Sequence, residues 1–136
     1  MVEAFGTLQH NRIAELLKTQ QDWTNFEFLQ GDSLSVEIEE TDLLFIDTKH
    51  VGDQLWAELS KHALRVRRWI ALHDTQLFGE QGEDGGAGLL PALRRFLREN
   101  PKWSVVYHTQ ANHGLTVTGR DKPVLPSKIK MAANFT

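Results

Sequence analysis

"LLFIDTKH", residues 43–50, is the stretch on which the reading of the fold turns. Its apolar residues are consecutive rather than alternate, the pattern of a strand covered on both faces, as in a parallel sheet sandwiched by helices. A second run, "WIALHDT" at 69–75, has the same character and also ends on acid and imidazole. Between them Val51, Leu55, Leu59 and Ala63 recur every four residues and predict a helix from Val51 to about Leu64, with Trp56 beside the stripe. Strand, helix, strand at this spacing is a βαβ unit, whose crossover is right-handed in nearly every case, so the two strands run the same way. Ligands of such sheets bind outside the carboxyl ends of the strands. Asp47, His73 and Asp74 stand at those ends and converge over one edge if the strands are neighbours, with His50 one turn into the following helix.

Working outward, Leu8, Ile13, Leu16 and Leu17 predict an amphipathic helix over 8–18. "NFEFLQGDS" alternates Phe26 and Phe28 with polar neighbours before Gly31 and Asp32, a short strand and then a turn. Downstream, the glycine-rich acidic loop "FGEQGEDGGAG" leads into a helix from about Gly88 to Glu99. The last two strands, "KWSVVYHT" and "HGLTVTGR", are separated only by "QAN", too short for a crossover, and so form an antiparallel hairpin. The expected class is α/β: a Rossmann-like mixed sheet with helices on both faces and a C-terminal antiparallel hairpin. Residues 1–120 form the domain. The remainder, 121–136, with its prolines and lysines, reads as an extended tail.

A chain of 136 residues suits one domain with a real core, and 40% hydrophobic and 24% charged residues describe an ordinary globular protein. A net charge of -3 offers no electrostatic case for nucleic acid. The start resembles no secretory signal and no run reaches the length of a membrane span, so a cytoplasmic protein without membrane partners is expected. The absence of cysteine excludes disulfides, thiolate nucleophiles and thiolate zinc sites.

Asp47, His73 and Asp74 form a mixed oxygen and nitrogen donor set for a divalent metal. Carboxylates favour magnesium or calcium, and imidazole shifts the preference toward manganese, iron or zinc. Such an ion polarises a substrate oxygen and makes a hydroxyl nucleophilic. The plainer alternative is that Asp47 and Asp74 cap following segments, with Thr48 and Thr75 as turn residues. His10, His62 and His108 read as surface or packing residues. "GEDGGAG" lacks the spacing and the lysine of a phosphate loop, and Glu83 and Asp84 would repel phosphate. It reads as an acidic flap over the site or a flexible loop. "RVRR", 65–68, reads as a solvated connector at the strand entrance.

The series "GDS", "DLLFIDTKH", "QLWAEL", "IALHDT", "FGEQGEDGGAGL", "FLRENPKW" and "NHGLTV", from about Phe26 to Arg120, resembles the later part of class I S-adenosylmethionine-dependent methyltransferases. The nearest branch is that of cephalosporin hydroxylase-like and small-molecule O-methyltransferases. The resemblance implies S-adenosylmethionine as cofactor, a divalent metal with magnesium foremost, and methyl transfer to a small hydroxylated molecule. It places Asp32 and Ser33 near the cofactor's adenine, Asp47 near the reactive methyl and the metal, and His73 with Asp74 on the metal. His50 or His113 becomes the general base, although "ANHG" stands where relatives carry an asparagine run. The family's first strand, glycine-rich loop and ribose-binding acid have no counterpart, so an N-terminally truncated domain is expected, with a rearranged sheet or a homodimer making up the loss. A non-catalytic binding or assembly module and a metal-dependent hydrolase or hydroxylase-type site are the alternatives.

Overall fold

The structure, a computed structural model, describes residues 28–121. The helix expected over 8–18, most of the strand around Phe26 and the tail beyond Asp121 lie outside the described residues. Within them the chain is α/β. Its elements are β1 (Thr41–Ile46), α1 (Gly52–His62), a 3-10 turn (Ala63–Arg65), β2 (Val66–His73), α2 (Leu89–Glu99), β3 (Trp103–Thr109) and β4 (Leu115–Arg120).

The sheet is mixed, in the order β1-β2-β4-β3. β1 and β2 are parallel neighbours, with Leu44 opposite Ile70 and Ile46 opposite Leu72. β4 inserts antiparallel between β2 and β3, joined to β3 by residues 110–114. That short connection works because the backbone reverses through left-handed residues: Asn112, His113 and Gly114 have φ of 49, 66 and 100. Gly114 cannot be replaced easily, since a Cβ there would lie 2.3 Å from the Gln76 amide nitrogen.

Alternate residues of each strand face opposite ways. Leu44 and Ile46 of β1 and Val66, Ile70 and Leu72 of β2 meet Leu55 and Leu59 of α1 and Leu89, Leu93 and Phe96 of α2 in one apolar core. Full burial of each large side chain there contributes about 1.5–3 kcal/mol. Both described helices therefore cover the same face. The opposite face carries Leu43, Val106 and Tyr107, all more than half exposed. The double-sided burial expected of "LLFID" is thus met on one face among the described residues, where β1 also stands at the sheet edge. Nor is "RVRR" a solvated connector: Arg67 and Arg68 lie within β2, Arg68 is buried, and both reach Asp42 at the start of β1. No described helix is long and apolar enough to cross a membrane.

Candidate metal centre

β1 ends at Ile46 and β2 at His73, and parallel pairing in register brings both ends to one edge of the sheet. Asp47 follows the first strand and Asp74 the second. Asp74 has φ 57, a left-handed conformation that aspartate tolerates better than most residues and that clusters at functional sites. The turn it makes is held from two directions. Phe78 N–H donates to the Asp74 carbonyl, and the amides of Gln76 and Leu77 both donate to the His113 carbonyl. Beneath it, the buried hydroxyls of Thr75 and Thr116 bond to one another at 2.8 Å.

His50 lies in the turn just before α1 rather than one turn inside it. Its ring stacks on Phe78, centroids 4.6 Å apart and planes 15° from parallel. Its Nε2 approaches Asp74 Oδ2 at 2.9 Å and Asp47 Oδ1 at 3.5 Å, while its Nδ1 meets Glu83 Oε2 at 3.0 Å. His73 Nδ1 is 3.2 Å from Asp74 Oδ2 and 3.8 Å from Asp47 Oδ2. Its Nε2 faces the Asn112 amide at 3.4 Å.

These contacts are close but not aligned. Although both His50 Nε2 and His73 Nδ1 are buried atoms beside carboxylate oxygens, neither makes a hydrogen bond. Buried nitrogens normally find one. Atoms that converge on a common centre, instead of pointing at each other, fit the ligands of an ion: with bonds of ~2.1 Å, neighbouring donors stand roughly 3 to 4 Å apart. Asp47, His50 and Asp74 each offer one such atom, all within 4.8 Å of one another. The converging set is therefore two aspartates with His50, and His73 stands beside it.

Neither aspartate acts as a helix cap in the way the plainer reading supposed. α1 has no side-chain cap at all, and the carboxylate of Asp74 is turned to the two imidazoles. His50 is the group whose protonation this arrangement changes. Burial works against its charge, but the hydrogen bond to Glu83, the charge of Asp74 and the contact with Asp47 outweigh it, and its pKa is raised above the ordinary imidazole value.

The other expected site residues are distributed differently. Ser33 is buried and donates to Glu58 at 2.6 Å. Glu58, also buried, accepts Thr48 Oγ1 at 2.9 Å and Gln54 Nε2 at 2.9 Å, so this network anchors the residue that follows Asp47. Asp32 engages its carboxylate in its own turn, accepting the Leu34 amide and the Ser35 hydroxyl. His113 is exposed and enters the site region through its carbonyl. His62 is a buried packing residue, its Nε2 at 2.7 Å from the Ser33 carbonyl oxygen. A narrow crevice of about 10 Å³ lies beside the cluster, lined by Asp47, Thr48, His50, Glu58 and His73 among others.

Glu83, which the sequence marks only as part of an acidic flap or a flexible loop, reaches this centre directly through His50. Its only signal was its place in an acidic, glycine-rich loop following the second strand end. Compared with known proteins, the chain matches no family model, no curated protein and no solved structure.

Proposed function

We propose that the chain is a methyltransferase-like domain in which Asp47, His50 and Asp74 hold a divalent cation for group transfer to a small hydroxylated molecule. The observation that carries this reading is the convergence of those three donors at the carboxyl ends of two parallel strands. Support for the Rossmann-like form comes from the strand order, in which an antiparallel strand follows the parallel pair, and from the sequence resemblance.

The donor set fits a cation. The unbonded buried nitrogens are the kind of atom that a bound ion completes, and a site of two carboxylates and an imidazole suits magnesium, manganese, iron or zinc. A divalent ion there supplies Lewis acidity, lowering the pKa of an acceptor hydroxyl. The chain's own residues do the rest. Asp47 and Asp74, carried on neighbouring strand ends, fix the acceptor oxygen's position relative to the sheet. His73, with Nδ1 next to both carboxylates, helps to hold their orientation, and the proton that the hydroxyl sheds leaves to solvent. Phe78 shields one face of the His50 ring from water. Asp32 and Ser33 make hydrogen bonds within the chain, and adenosylmethionine enters this reading through the resemblance alone.

The test is a titration of the chelator-treated chain with manganese, followed by the resonance of the free ion, and calorimetry with S-adenosylhomocysteine with and without magnesium. One manganese site that is lost in Asp74→Asn, together with micromolar S-adenosylhomocysteine binding, supports the proposal. A chain that binds no manganese lacks the cation site. Manganese binding with no affinity for S-adenosylhomocysteine removes methyl transfer and leaves a cation site for hydrolytic or oxidative chemistry.

A further inference from the structure

The glycine-rich loop after Phe78 touches the cation site at one residue, and it does so twice. Glu83 donates its backbone N–H to the His50 carbonyl at 3.0 Å, and its carboxylate accepts from His50 Nδ1 at 3.0 Å, across 33 positions of sequence. One residue thus clasps both the backbone and the ring of another.

The loop's composition serves this clasp. A Cβ on Gly82 would come within 2.9 Å of the His50 carbonyl oxygen, so only glycine lets the loop approach so closely. Gly85 takes φ 82, and Asp84 Oδ1 accepts the Gly86 amide at 2.9 Å. Gly82 and Gly86 are bonded across the loop, and the Ala87 carbonyl accepts the Gly52 amide at the start of α1. The loop's shape is therefore set by its own bonds and by α1, before any ion is considered.

We infer that Glu83 is a positioning residue that selects the His50 tautomer and aims Nε2 at the cation, an inference that rests on the cation reading above. A carboxylate can only accept a hydrogen bond, so Glu83 holds a hydrogen on Nδ1, while Asp47 and Asp74 draw one to Nε2 in the same way unless an ion takes that place. With a cation between the aspartates, the Nδ1–H tautomer is the one that leaves the Nε2 lone pair to face it. Carboxylate partners on the outer nitrogen of a ligating histidine fix its orientation and strengthen it as a donor. Glu83 is not itself a member of the donor set, because it bonds the ring nitrogen on the far side from the two aspartates. Phe78 closes one ring face, which leaves His50 without freedom to turn away.

The experiment compares the full-length wild type with Glu83→Ala and Glu83→Gln. Ring nitrogen shifts of His50 are read by NMR in the presence of saturating magnesium, which is diamagnetic, and manganese affinity is measured in parallel. Glu83 is partly exposed, so neither variant threatens the core. The expected result is an Nδ1–H tautomer in wild type, a mixture in Glu83→Ala, and a loss of manganese affinity of about 10- to 100-fold. Glu83→Gln, whose amide oxygen still accepts, retains the tautomer and most of the affinity. Unchanged tautomer and affinity in Glu83→Ala overturn the inference. So does an equal loss in both variants as deep as that of Asp74→Asn, which makes Glu83 a ligand. Absence of manganese binding in wild type overturns the cation reading, and the nitrogen shifts then still report separately whether Glu83 sets the tautomer.

Discussion

At the amino end of the β1–β2 pair, Asp42 accepts from Arg67 Nε at 3.0 Å and lies 3.7 Å from Arg68 Nε, with Glu40 at 3.9 Å from Arg67 Nη1. At the carboxyl end of the same two strands, Asp47, Asp74 and Glu83 gather around His50, and Asp47 and Asp74 around His73. Both ends concentrate acidic side chains, but their partners differ in kind. A guanidinium is always charged and presents fixed donors, so the amino end is neutralised within the chain. An imidazole carries charge only when protonated, and at the carboxyl end two of them face three carboxylates, so an excess of negative charge remains that an external cation can complete. Acids matched by arginine are structural. Acids matched by imidazole, three of whose donors lie within 4.8 Å of one another, are the candidate site.

The sharpest break of this contrast is the same change, carboxylate to amide, made at each end. Asp74→Asn preserves the left-handed backbone, which asparagine also tolerates, but removes the charge that both imidazoles approach. Manganese affinity should fall by more than about 100-fold, beyond the loss typical of an outer-shell partner; retention of affinity would place the ion elsewhere. Gly114→Ala attacks the same end through the backbone. With φ at 100 and a Cβ driven against the Gln76 amide, the turn that supports Asp74 must shift. A loss of about 2–3 kcal/mol is expected in urea unfolding, together with weakened manganese binding.

Asp42→Asn is the counterpart at the amino end. Asp42 is 44% exposed, so its pair with Arg67 is worth less than about 1 kcal/mol, and manganese affinity should not change. A large effect of Asp42→Asn on the ion would erase the distinction between the two ends.

The smallest effect is the pH dependence of the metal-free chain. His50 has a raised pKa in the folded state, so the folded chain binds its proton more tightly than the unfolded chain does. That stabilisation is fully present below the unfolded value of about 6.5 and is lost as pH rises through the folded value. Thermal unfolding of the chelated protein should therefore occur at lower temperature on going from slightly acid to slightly alkaline pH, and His50→Gln should flatten the trend. Ion binding should strengthen over the same interval, because the cation competes with the proton for Nε2. A chelated wild type whose melting temperature rises across that interval would contradict the sign.

Local pattern made much of this architecture legible. "LLFID" and "WIALHD" announced two strands because apolar runs of that length have no other economical place, and the four-residue recurrence from Val51 to Ala63 announced the helix between them. Parallel pairing followed from the crossover, and with it the meeting of Asp47 and Asp74 at one edge. Those inferences needed only periodicity, chain reach and handedness. The surroundings of the run were less readable. Leu43 looks as apolar as Leu44, yet one is half exposed and the other buried, since burial depends on what covers each face and not on the residue itself.

By itself the sequence determined the order of elements from β1 onward, the parallel pair and the presence of acids at its carboxyl end, because these follow from local interactions and short connections. Only the tertiary structure decided that His50 joins the two aspartates, that Ser33 supports Glu58 beneath the Asp47–Thr48 turn, that the His113 carbonyl holds the Asp74 loop, and that Glu83 reaches His50 across 33 residues. Those are contacts between distant segments. Their existence depends on distances of about 3 Å that no pattern in a linear chain specifies.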